Sequence, residues 1–206
     1  MINELEIAPI AISLVALTIS GITLWLTHLR LGTVKITRPS QIYLGPDGEI
    51  PYAAKIAVRT LLYSTSSRGR CVDQLFVRLS RGESSHCFSV WVHGHGASLV
   101  RAAGLMVGPN GVDLMHQFLI SRDANFEFQA GEYKFELFME IVGKRKPKLV
   151  FAQTLSINEK DARAMNSPLE GLFFDWGPES GSYQKTIRPM RPDILVPDLD
   201  NPEMRK

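Results

Sequence analysis

Basic residues are missing from the start of the chain: no lysine or arginine precedes Arg30. That absence argues against a cleaved secretory leader, which opens on a basic segment, and Trp25-Leu26-Thr27-His28-Leu29 offers no small-residue cleavage site. Cysteine is scarce, with only Cys71 and Cys87 in 206 residues, and there is no Asn-x-Ser/Thr sequon. Two isolated thiols and no glycan acceptor suit a reducing compartment. There is no Gly-x-Ser-x-Gly, no phosphate-binding Walker loop and no His-Glu-x-x-His. No enzyme activity and no cofactor are expected from such a chain. Charge is also modest. Of 21 acidic residues only Glu4 and Glu6 precede Arg30, leaving 19 against 23 basic ones, a formal +4 that is too weak for nucleic acid without a focused patch.

What the chain has instead is a long apolar run. Residues 7–29 carry no formal charge and are bracketed by Glu6 and Arg30. As a helix they span roughly 34 Å, against a bilayer core of about 30 Å. Trp25 sits where an interfacial aromatic belongs, and Pro9 falls in the first turn, where a missing N–H costs least. Ser13, Thr18, Ser20, Gly21 and Thr23 form no charged face, so a buried core helix is disfavoured and a retained transmembrane helix is expected. Residues 1–6 form a short flank. Arg30, Lys35 and Arg38 follow the run closely and no basic side chain precedes it. This predicts an inner-membrane protein with its N-terminus outside and the rest in the cytoplasm.

From residue 32 to 157 the pattern has period two, broken by turn residues. Seven strands are expected, near 33–38, 55–63, 71–79, 87–93, 113–120, 133–142 and 149–157. The sixth is the clearest. Tyr133, Phe135, Leu137, Met139 and Ile141 alternate with Glu132, Lys134, Glu136 and Glu140, with Phe138 the exception. One buried and one wet face predict an antiparallel sandwich. In a hairpin turning at Arg81-Gly82-Glu83-Ser84, residue 78 faces about residue 87, which leaves Cys71 too far from Cys87 for a disulfide.

The segment Phe126-Glu127-Phe128-Gln129-Ala130-Gly131-Glu132-Tyr133-Lys134-Phe135 resembles the tyrosine corner of immunoglobulin-like sandwiches. The resemblance implies an all-β, seven-stranded immunoglobulin-like antiparallel β-sandwich preceded by one transmembrane α-helix. It also implies a Tyr133 hydroxyl bonded to backbone just upstream. Phe135 stands where antibody-type domains carry a core cysteine, and Trp91 falls in the fourth strand rather than the third. The layout also resembles small single-pass bacterial membrane proteins of no assigned function, which implies nothing about mechanism.

Residues 158–206 are expected to form a proline-rich tail, with six of the chain's twelve prolines between Pro168 and Pro202. Asn158 and Asp161 have the spacing of a capping pair for a short helix. Within the tail Leu172, Phe173, Phe174 and Trp176 are costly to leave in water. Either they fold back on the sandwich or they dock on a partner, for example by strand addition. Disorder is expected beyond Arg188.

Three further clusters carry chemistry. Arg68 and Arg70, in Ser64-Thr65-Ser66-Ser67-Arg68-Gly69-Arg70, could hold a phosphate or carboxylate, or simply keep a turn soluble. Lys144, Arg145, Lys146 and Lys148 form a basic hairpin tip that could touch anionic headgroups. Which end of the sandwich faces the bilayer is open from sequence. His93 and His95 share a strand face, and His86, His116 or Asp113 could complete a metal site only through the topology. The expected function is a membrane-anchored protein-interaction or scaffolding module without catalysis. Its partners are then the bilayer and an unidentified protein, and the possible partner-binding residues are Arg68, Arg70, Phe173, Phe174 and Trp176. The alternatives are an extracytoplasmic envelope-binding domain and, third, a metal-dependent enzyme.

Overall fold

A computed structural model of the chain describes residues 4–29, 32–47, 53–95, 98–121, 124 and 126–189. Helix α1 (Glu4–Leu24) continues into a π-helical turn, Trp25–Leu29. Residues Pro9–Thr27 are long and apolar enough to cross a membrane, and none of this stretch is buried against the domain. Its hydroxyls turn inward on the helix: Ser13, Thr18, Thr23 and Thr27 donate to the carbonyls of Pro9, Leu14, Ile19 and Thr23 at 2.7–2.8 Å. Such back-bonds leave four fewer polar groups for an apolar solvent to accommodate.

The rest is mostly β. Thirteen strands occur among the described residues, where seven were expected. They are β1 (Val34–Ile36), β2 (Gln41–Pro46), β3 (Ala54–Ser64), β4 (Arg70–Arg81), β5 (Ser84–Phe88), β6 (Val90–His95), β7 (Ser98–Arg101), β8 (Leu105–Val107), β9 (Val112–Leu119), β10 (Gly131–Ile141), β11 (Lys148–Ile157), β12 (Glu170–Gly177) and β13 (Ser182–Pro189). One sheet runs β13-β12-β2-β3-β9-β6-β7, with β1 also on β3. The other runs β11-β10-β4-β5, with β8 also on β4. The two bury one shared apolar cluster, to which Ile42, Val58 and Phe118 contribute from one side and Leu75, Phe135 and Leu137 from the other.

The count differs for identifiable reasons. The expected strand 87–93 is two strands, because at Ser89 the chain passes from the β4 sheet to the β9 sheet. β2 shows no alternation because both of its faces are buried, and Gly45-Pro46 closes that strand. The expected end of the domain at residue 157 is also corrected. Helix α2 (Glu159–Met165) follows directly, capped by reciprocal 2.9 Å bonds between Asn158 and Asp161. β12 then pairs with β2, Leu172 opposite Leu44 and Asp175 opposite Gln41, and β13 pairs with β12. The proline-rich stretch is therefore two strands as far as Pro189. The disorder expected further on concerns residues outside the described ones.

The segment singled out as a tyrosine corner makes the contact that the resemblance implied. The Gln129 N–H donates to the Tyr133 hydroxyl at 2.9 Å, and Tyr133 is only 3% exposed. Tyr133→Phe removes the acceptor and strands a partly buried N–H. Denaturant unfolding should show a loss of about 1–3 kcal/mol, and a variant as stable as the parent would mean that the bond contributes nothing.

The cysteines lie far apart on the β4 sheet. Arg78 pairs with Cys87, as the hairpin register predicted, while Cys71 pairs with Met106. Seven residues of β4 separate those two positions, ~23 Å along a strand, and both thiols are free.

Candidate functional site

The end of the sandwich that meets the helix is built by the β3–β4 turn. There the Ser67 hydroxyl donates to the Thr27 carbonyl at 2.8 Å. Thr33 and Thr65 exchange bonds of 2.8 and 2.9 Å, so the chain leaving the helix is clamped to this turn. Gly32 is required at the contact, because a Cβ there would stand 2.6 Å from the Ser66 nitrogen. Arg68 is exposed in this turn and Arg70 is half-buried where β4 begins. As a phosphate or carboxylate cradle the turn is weakened, since Ser67 is engaged with the helix, Thr65 with the linker, and Ser64 and Ser66 with each other.

The basic tip stands at the same end. β10 runs back toward the helix, and its last pair is Ile141 with Val72. The Val142 N–H then donates to the Cys71 carbonyl at 3.1 Å. Lys144, Arg145, Lys146 and Lys148 follow, all exposed. The tip and the β3–β4 turn, distant in sequence, thus flank one another.

The aromatic segment is divided. Phe174 is 3% exposed and belongs to the shared core, while Phe173 is 4% exposed and packs on Tyr43 over the opposite face of the sheet. Both are taken up by this domain, which removes them from the partner-binding set. Trp176 is half-buried at the end of β12. Its ring carries the Arg38 guanidinium 3.9 Å from its centroid on one side and meets the Tyr183 ring at 5.2 Å. The Tyr183 hydroxyl donates to the Pro39 carbonyl at 2.7 Å, and burial pushes its pKa up to about 12. Beside this stack lies an open cleft of about 360 Å³ lined by Thr37, Arg38, Ser40, Arg59 and Asp113 among others. Arg59 and Asp113 face each other across it at 3.6 Å. Sequence reasoning used Arg38 only as a flanking charge and passed over Arg59 and Tyr183. The three fall on separate segments: the pairing of β2 with β3 sets Arg59 beside Arg38, and β12 on β2, with β13 on β12, brings Tyr183 to them.

The histidines assemble differently from a metal site. His93 on β6 lies directly opposite His116 on β9. Among the described residues no group of three or more His, Cys, Asp or Glu side chains could hold a metal ion, and the side chain of His95 lies outside those described. His116 is fully buried. Its Nδ1 accepts from the Trp91 indole N–H at 3.2 Å, and its Nε2 has no partner. Burial, then the neighbouring His93, lowers its pKa from 6.5 to about 4. A depressed histidine pKa keeps full stability above the unfolded value and loses it as pH falls from 6.5 toward 4. The loss attributable to His116 over that window is about 3 kcal/mol. His116→Gln, which keeps a side chain able to accept from Trp91, should flatten the acid limb of a stability–pH profile. An unchanged limb would assign it to carboxylates.

Comparison with family models, curated proteins and solved structures gives no match for this chain.

Proposed function

We propose that the chain is a single-pass inner-membrane protein with its N-terminus outside. In this reading an immunoglobulin-like sandwich works in the cytoplasm as a non-catalytic protein-interaction module. The observation that carries the interaction role is the Arg38–Trp176–Tyr183 stack at the open edge of the larger sheet. Trp, Tyr and Arg are the residue types that anchor interfaces. β13 has a strand on one side only among the described residues, and a free edge accepts an added strand from a partner. The tyrosine-corner bond supports the immunoglobulin-like description, and the unpacked apolar helix supports the anchor.

The test has two parts. The full chain should sediment with membranes and resist carbonate extraction, and its presence in the soluble fraction without detergent would end the anchor reading. A photo-reactive amino acid at Gln184, exposed on β13, should give a discrete adduct in intact cells that Arg38→Glu abolishes. The same probe at Glu83, on the far turn, should give none. Absence of an adduct at Gln184 would remove the interaction role.

A further inference from the structure

The helix-proximal end of the domain combines two properties that water alone does not favour together. The first is charge. The three segments that build this end, 64–70, 105–111 and 142–149, contain Arg68, Arg70, Lys144, Arg145, Lys146 and Lys148 and no aspartate or glutamate. The nearest carboxylates along these strands, Asp73, Asp113 and Glu140, lie further into the domain, and Asp113 is paired with Arg59. The second is apolar exposure. Among the described residues of the sandwich the exposed large apolar side chains are Met106, Val142, Leu149 and Leu169, at 61, 54, 43 and 69%. The first three stand at this end: Met106 opposite Cys71, Val142 at the close of β10 and Leu149 one residue into β11.

Distance makes the arrangement meaningful. Ser67 holds the helix terminus and lies four residues from Cys71, at most ~14 Å of chain. Val142 is bonded to Cys71 across one strand spacing, so the base of the basic tip is within about 20 Å of the helix end. A bilayer interface is the surrounding that favours both properties, since its phosphates accept from ammonium and guanidinium groups and its acyl boundary takes up apolar side chains. We propose that this end is a lipid-docking surface. Lys144, Arg145, Lys146 and Lys148 contact the anionic headgroups of the leaflet that holds the C-terminal end of α1, and Val142 and Leu149 reach the acyl boundary. This rests on the anchor reading, because the tether holds a weak surface contact at high effective concentration. Each basic residue favours the docked state about fivefold at an anionic surface.

The test uses the full chain with Cys71→Ser, Cys87→Ser and Val142→Cys, carrying a bimane label. It is reconstituted in nanodiscs of phosphatidylcholine alone or with about 30% phosphatidylglycerol. Quenching by nitroxide-bearing lipid should be at least about threefold stronger with the anionic lipid, and about 0.5 M salt should erase the difference. Lys144→Glu, Arg145→Glu, Lys146→Glu and Lys148→Glu together should erase it too, and so should the milder set of glutamines at the same exposed positions. Equal quenching in both nanodiscs overturns the proposal, as does anionic-lipid dependence that survives charge reversal. Shielding of the label by soluble polyglutamate as strong as that by anionic lipid would assign the surface to an acidic protein and overturn it. Failure of the chain to enter nanodiscs at all would remove the anchor and the docking with it, a result distinct from entry without docking.

Discussion

Phe174→Ala is expected to destabilise the domain by about 3–5 kcal/mol, the range for truncating a fully packed phenylalanine. Phe174 lies opposite Ile42 on β2 and shares the core with Leu44 and Leu172. The neighbouring seam has no slack to collapse into. Gly171 passes so close to Tyr43 that a Cβ there would stand 2.2 Å from the ring, and the Tyr43 hydroxyl is held by a 2.9 Å bond to the Pro46 carbonyl. That contact holds the β12 backbone from the opposite face, while a cavity at Phe174 would open into the shared core. Urea unfolding of the full chain in detergent, followed by tryptophan fluorescence, measures the loss. If residues 170–177 were instead a docking peptide, the truncation would leave the midpoint unchanged and affect only partner capture. A neutral result would remove β12 from the core.

From the sequence this placement was one of two alternatives, and the pairing of β12 with β2 was not legible for a physical reason. β10 was legible because one face is wet and one dry, so Tyr133, Phe135, Leu137, Met139 and Ile141 stand out by alternation. Even its exception has a cause. Phe138 stacks on Phe76 at 5.1 Å under the Arg78 guanidinium, an aromatic pair on the wetter face. β2 and β12 carry no such signature, because each is covered on both faces along much of its length. β7 and β8 are too short to show a period. The same holds for the candidate sites. The local signals, the basic tip and the corner tyrosine, were readable in place. The Arg38–Trp176–Tyr183 stack depends on a pairing across more than a hundred residues, and its members look unremarkable where they stand.

The second large effect is all-or-none. A single cysteine at Glu83, exposed on the turn at the opposite end of β4 from the helix contact, in a Cys71→Ser, Cys87→Ser background, should resist a membrane-impermeant maleimide in intact cells and label fully after lysis. Three basic residues follow the apolar helix closely and none precedes it, and by the positive-inside bias this is the basis for proposing a cytoplasmic C-terminal side. The structure adds the basic end beside the helix terminus, so the charge bias near that terminus extends beyond Arg30, Lys35 and Arg38. Prompt labelling of intact cells, with any outer membrane made permeable, would reverse the assignment and favour an envelope-binding domain instead.

The pairing of Gln41 with Asp175 also sets a timetable. Chains are made from the N-terminus, so α1 and β2 leave the ribosome long before the strand that covers β2. Until β12 arrives, Ile42 and Leu44 lie along an open edge, and closing so long a loop is slow. The nascent protein thus passes through an interval in which its largest sheet is unsealed. A premature stop shortly after α2 would leave an edge-exposed fragment suited to aggregation or proteolysis rather than a smaller working domain.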